Sequence, residues 1–140
     1  LHKNVRIDYG SYKSDKVEEY FSPFNDAPID DDDYKEADYS KGCWVTSYCG
    51  IGFNSKGYYA CAVAAGIDRL TKKNMEIKKL KNLNNKALEN QLDEFCRFCG
   101  NFKAYQSNHG DFIPRVEKEP FKNIVTVSWK SIYKQNSKKK

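Results

Sequence analysis

Apolar and polar positions fall into blocks of different period along the chain. Val5, Ile7 and Tyr9 alternate with polar neighbours over residues 2–9, the two-residue period of a half-buried strand that Gly10 and Ser11 close. Tyr20 to Tyr39 has no period. Ser22-Pro23, Ala27-Pro28 and the run Asp30 to Asp33 mark it as an acidic loop with single aromatics as anchors. Residues 48–64 surround Asn54-Ser55-Lys56-Gly57, which suits a type I turn with Gly57 as the left-handed residue of a bulge. That turn predicts a β-hairpin in which Asn54 faces Tyr58 and Ile51 faces Cys61, with Cys49 and Cys61 on one face. Asp68 to Asn74 reads as a charged connection. Between Glu76 and Phe98, the residues Ile77, Leu80, Leu83, Ala87, Leu88, Leu92 and Phe95 recur at three- and four-residue intervals. This is one amphipathic helix, or two broken at Leu83-Asn84-Asn85 with Asn84 or Asn85 as N-cap. For Ile124 to Trp129, strand and a short helix through Tyr133 fit equally well.

A length of 140 residues bounds these elements to one modest domain and excludes an α/β barrel. Ten Tyr, eight Phe and two Trp give it large side chains enough for a core. The net charge of +5 is unevenly placed: residues 15–39 hold ten acids against two Lys, a local −8, so the remainder carries +13. The basic excess ends in Lys138-Lys139-Lys140 and reads as a solvated face and tail. No helix-turn-helix, RNP-like or Cys/His finger spacing accompanies it, so no nucleic-acid partner is expected. Four consecutive Asp without EF-hand spacing read as solvated loop rather than a Ca²⁺ site. With no long apolar run and no secretory pattern, no membrane association is expected, and the expected compartment is the cytoplasm. A chain that lacks an initiating Met is expected to be a segment of a longer polypeptide.

The chemistry lies in five cysteines, Cys43, Cys49, Cys61, Cys96 and Cys99, spaced Cys-x5-Cys-x11-Cys-x34-Cys-x2-Cys. A Cys-x2-Cys turn lets two thiolates meet one metal centre while backbone N–H groups point at the sulfurs. The hairpin supplies the second pair, Cys61 with Cys49 or Cys43. An odd count in a reducing compartment weighs against a disulfide framework. A four-cysteine zinc site and an iron–sulfur cluster remain. Diagonal cross-strand positions such as Cys49 and Cys61 sit about 7–8 Å apart at Cα, which suits the wider cluster better. Phe53, Tyr58, Tyr59, Phe95 and Phe98 are placed to exclude water, and Lys56, Arg69, Lys72, Lys73 and Arg97 to offset negative charge. His2 and His109 lie far from the motif, and no catalytic residue is assigned.

The run Cys43-x5-Cys49-Gly50-x-Gly52-Phe53-Asn54-x2-Gly57-Tyr58-Tyr59-x-Cys61, followed by Phe95-Cys96-x2-Cys99-Gly100, resembles the auxiliary-cluster region of radical S-adenosylmethionine (SAM) enzymes with SPASM or twitch domains. The resemblance spans residues 43–100; its Gly57-to-Cys61 gap is one residue shorter than the usual form. It implies one [4Fe–4S] cluster held by Cys61, Cys96 and Cys99 with Cys43 or Cys49, serving electron transfer or substrate binding. No Cys follows Cys99, so a second cluster lacks ligands. The Cys-x3-Cys-x2-Cys motif of the AdoMet cluster is absent, so the implied partner is a radical SAM core, in the same polypeptide or a separate chain, acting on an unnamed substrate. The expected fold is a small α+β domain: a β-hairpin, an amphipathic helical segment and a Cys-x2-Cys turn around one metal centre. Residues 1–42 provide a strand and acidic loop, 43–100 the cluster region, and 101–140 an extension with a basic tail.

Overall fold

The computed structural model describes residues 25–106 and 125–138, without the side chains of 47–49 and 104–106. The strand expected over 2–9, His2 and His109 lie outside the described residues. Among those residues the domain is α+β, with one two-stranded antiparallel hairpin and five α-helices.

Helix α1 (Trp44–Cys49) runs into the start of the expected first hairpin strand, so Cys49 ends a helix instead of lying diagonal to Cys61 on one face of a hairpin. Cys43, in an extended conformation, precedes it, and its carbonyl accepts from Thr46 N at 3.0 Å and Thr46 Oγ1 at 2.6 Å. Gly50 at φ +64° then turns the chain out of the helix, a conformation glycine adopts without Cβ strain. The hairpin that follows is short. Strands β1 (Gly52–Asn54) and β2 (Gly57–Tyr59) pair Gly52 with Tyr59, Phe53 with Tyr58 and Asn54 with Gly57. This register is one residue off the expected one. Asn54 Oδ1 accepts from Lys56 N at 2.8 Å and Gly57 N at 3.4 Å, closing a two-residue Ser55–Lys56 turn that brings Gly57 into the ladder. The pairing stops before Ile51 and Cys61. Gly52 packs so tightly on the turn after β2 that a Cβ there would sit 2.7 Å from the Cys61 carbonyl oxygen.

Helix α2 (Ala64–Thr71) replaces the end of the expected second strand and much of the expected charged connection. A short 3-10 turn (Leu80–Asn82) leads to α3 (Asn85–Cys96), whose N-cap is Asn84, with Oδ1 accepting from Ala87 N at 3.0 Å. The expected helix is therefore present only from Asn85 on; before it Ile77 bridges Tyr58 of β2 instead, with Tyr58 N donating to Ile77 O at 2.9 Å and Ile77 N to Tyr58 O at 3.1 Å. Helix α4 is Asn101–Gln106, and α5 (Val127–Ser137) resolves the ambiguity after Ile124 in favour of helix.

Helix α3 packs on α2 and on the Tyr39–Lys41 turn, and α5 packs on α2 and the Pro28–Asp30 turn. One apolar core takes Ala27 and Tyr39 from the acidic segment, Val45 from α1, Tyr59 from β2, Ile67 from α2, Phe95 from α3, Phe102 from α4 and Trp129 from α5. In its described part, residues 25–39, the acidic segment is thus docked through Asp26, Ala27 and Tyr39, while Asp30, Asp32, Asp33, Glu36 and Asp38 remain exposed as expected of a solvated loop. Asp26 and Lys103 are 8% and 6% exposed, and Lys103 Nζ lies 2.7 Å from Asp26 Oδ1 and 2.9 Å from Asp31 Oδ2. The ammonium balances the buried Asp26 carboxylate, and it also bonds Asp31, whose partly exposed carboxylate keeps contact with solvent.

A buried polar clamp joins hairpin and helix. Gln91, 1% exposed on α3, accepts from Ala60 N at 2.7 Å and donates through Nε2 to Met75 O at 2.6 Å and Tyr58 O at 3.2 Å. Tyr59 OH donates to Asp68 Oδ2 at 3.0 Å, and Asp68 Oδ1 accepts from Met75 N at 3.3 Å. Gln91→Leu keeps the volume but leaves the Ala60 N–H buried without its acceptor. Urea denaturation should show a loss of about 2–3 kcal/mol; a change within about 0.5 kcal/mol, the size of an ordinary surface substitution, would remove Gln91 from this role.

Candidate functional site

Four cysteines meet at the centre of this core. Cys43, Cys61, Cys96 and Cys99 are all buried, none is in a disulfide, and all line one enclosed cleft. They arrive from four places: the residue before α1, the turn after β2, the last residue of α3 and the loop beyond it. The rest of the wall is mainly apolar, with Val45, Val63, Ile67, Leu92, Phe95 and Phe102 prominent. Space among the lining atoms totals about 350 Å³, yet the centre of a water-sized sphere can occupy only about 10 Å³ of it. That is room for about one water. The cleft is close-packed as it stands.

The loop carrying Cys96 and Cys99 is fixed by its carbonyls. Phe95 O accepts from Phe98 N at 3.0 Å and Cys96 O from Cys99 N at 3.1 Å, folding the loop on itself. Arg97 O accepts from Ile29 N at 3.1 Å, and Phe98 O from Trp129 Nε1 at 2.7 Å. Cys99 O accepts from Phe102 N at 3.0 Å. Loop position is therefore dictated from the acidic segment, α4 and α5 together.

Of the five cysteines singled out by spacing, the structure brings Cys43, Cys61, Cys96 and Cys99 to one wall, and the side chain of Cys49 lies outside the described residues. Cys49 sits at the far end of α1, six residues and about 9 Å of helix rise from Cys43. Tyr59 and Phe95 are buried as expected, and Phe98 packs edge-on to Trp129. Phe53 is 72% exposed and stacks on Tyr58, so it shields nothing at the cleft. Among the cations, Arg97 bonds Asp93 Oδ2 at 3.1 Å and lies over the Tyr39 ring, while Lys73 pairs with Glu94 at 3.0 Å. Lys56, Arg69 and Lys72 are exposed. None of these five lines the cleft. Sequence spacing missed Asn101, which does line it and whose Nδ2 donates to Cys99 Sγ at 3.6 Å.

Burial in this apolar wall pushes the Cys96 thiol far above its ordinary range, and the neighbouring Cys43, Cys99 and Cys61 add to the effect. Burial raises Cys99 as well, to about 12, although the backbone and side-chain N–H groups of Asn101 pull the other way. Without a cation the thiols are held as neutral S–H groups; a metal reverses that balance, because thiolates are its ligands. The donor set of four thiols, with no carboxylate or imidazole on the wall, fits a soft, thiolate-ligated centre. Among the described residues, no three His, Cys, Asp or Glu side chains are placed to hold a single ion.

No protein-family model, curated protein or solved structure matches the chain. No helix among the described residues is long and apolar enough to cross a membrane.

The raised thiols have a consequence for the reduced, metal-free protein. Its folded state favours the protonated form, so the associated stability is complete below the unfolded thiol value of 9.0 and is lost as pH rises toward about 12. Tyr59, raised by burial and by the Asp68 carboxylate from 10.0 to about 12, acts in the same direction. Denaturation midpoints of chelator-treated protein should fall steadily from about pH 9 upward. Replacing Cys96 and Cys99 by Val should flatten the first part of that fall; an unchanged profile would show that these thiols do not titrate with unfolding.

Proposed function

We propose that this domain carries a single [4Fe–4S] cluster on Cys43, Cys61, Cys96 and Cys99, as the auxiliary-cluster domain of a radical-SAM-like enzyme. The observation that carries the reading is the convergence of four buried thiols from three separate segments of the chain on one apolar cleft. The motif over residues 43–100 resembles that of SPASM and twitch domains, and it supplies the link to a radical SAM core, in the same polypeptide or a separate chain. A bound cluster supplies one-electron transfer, or an iron site for a substrate.

This chain's own residues do the rest. Val63, Ile67, Leu92, Phe95 and Phe102 keep water from the sulfurs, and the clamped Cys96–Cys99 loop holds two ligands in fixed relation. Cys43 is the fourth ligand in preference to Cys49, since Cys43 lies on the wall and Cys49 is a helix length away.

A second reading, a zinc ion stapling the same four thiols in a module without redox activity, draws on the small free space in the cleft. A four-iron cluster fills more than one water's volume, so loading it has to widen the cleft.

Anaerobic purification with iron and sulfide analysis separates the two. The expected result is a brown protein with about four iron and four sulfide per chain. Ser at Cys43, Cys61, Cys96 or Cys99 should abolish or severely reduce that content, and Cys49→Ser should leave it intact. A colourless protein with one zinc per chain would overturn the cluster, and loss of iron in Cys49→Ser but not Cys43→Ser would overturn the ligand choice. Metal removal should also lower thermal stability, since binding to the folded state alone is linked to folding; equal melting temperatures with and without metal would count against a site built into the core.

A further inference from the structure

Asn101 opens α4 two residues after Cys99 and forms part of the cleft wall. Its Nδ2 donates to Cys99 Sγ at 3.6 Å. The residue is not a loose surface group. Helix α4 is tied back by Phe102 N to Cys99 O at 3.0 Å and by the buried Lys103, which grips Asp26 and Asp31. With apolar side chains over most of the wall and space for about one water, this amide takes the place that solvent would otherwise fill at this sulfur.

An N–H donor binds a sulfur more strongly the more negative that sulfur becomes. On a cluster ligand it therefore favours the reduced, more negative state and raises the reduction potential. We propose that Asn101 is a positioning residue of the metal centre: its amide fixes the Cys99 sulfur and raises the electron affinity of the cluster held there. This rests on the cluster reading of the preceding subsection.

The test uses the full 140-residue chain, loaded anaerobically with iron and sulfide, as wild type, Asn101→Ala and Asn101→Asp. Asp matches Asn in size, so it preserves packing while removing the donor and adding negative charge. Redox titration at fixed ambient potential should show the reduced-to-oxidised ratio falling about tenfold in Asn101→Ala, which is 59 mV for one electron. Asn101→Asp should fall further. Equal potentials in all three proteins at equal cluster content would overturn the proposal. If the wild type carries zinc instead, the cluster reading fails on its own account. Asn101 is then read through zinc release under N-ethylmaleimide: several-fold faster loss in Asn101→Ala supports a donor that quiets the Cys99 thiolate, and an equal rate overturns it. A wild-type chain that binds neither metal overturns both readings.

Discussion

Burying the loop between Phe95 and Cys99 requires a donor for every carbonyl along it, and most of the tertiary structure follows from how those donors are found. Two come from within the loop, at Phe98 and Cys99, and Phe102 supplies the next from α4. Ile29 and Trp129 supply the other two from segments far apart in the sequence. An unsatisfied buried carbonyl is costly, so each of these contacts constrains where its parent segment lies. The loop holds two of the four thiols, which makes the backbone bookkeeping of the fold and the geometry of the cleft the same problem.

Charge is handled by the same logic. Residues 15–39 are too acidic to enter a core unaided, yet Ala27 and Tyr39 are among its most buried members. Lys103 makes this possible by meeting Asp26 and Asp31 together. Its ammonium also lies 5.8 Å from the centre of the Tyr34 ring, whose hydroxyl donates to the Lys103 carbonyl at 3.1 Å. Tyr39 OH in turn donates to Tyr34 O at 2.7 Å. Anchoring α4 in this way places Asn101 beside Cys99, so acidic residues that never touch the cleft help define its wall.

Helix α3 was legible in the sequence because its information is local: a three- and four-residue apolar period and an Asn that caps its own helix. Convergence of Cys61, Cys96 and Cys99 was legible from spacing, since a turn and a helix end set the reach of the thiols. The helical position of Cys49 was not. Whether residues 44–49 form a helix or a strand depends on Cys43 O receiving Thr46 and on Gly50 turning out, details that apolar periodicity does not register. The register slip has a similar source, because the Asn54 side chain competes with the backbone for the turn N–H groups. Gln91, Asp68, Lys103 and Asn101 are polar residues with no pattern around them. Their importance comes from partners up to 77 positions away, as between Lys103 and Asp26, and only the folded chain reveals it.

The Trp129 indole, fully buried and bonded to the Phe98 carbonyl, also bears on how portable this unit is. The cysteine pattern ends at Gly100, and read as a string it looks like a cassette for a host protein to accept intact. Cut at those limits, it would carry away a loop whose Phe98 and Arg97 carbonyls have lost their donors, beneath a core opened at Ala27, Phe102 and Trp129. The unit of transplantation is therefore the motif with its flanks, and a graft that respects only the cysteines would deliver ligands without the scaffold that keeps them together.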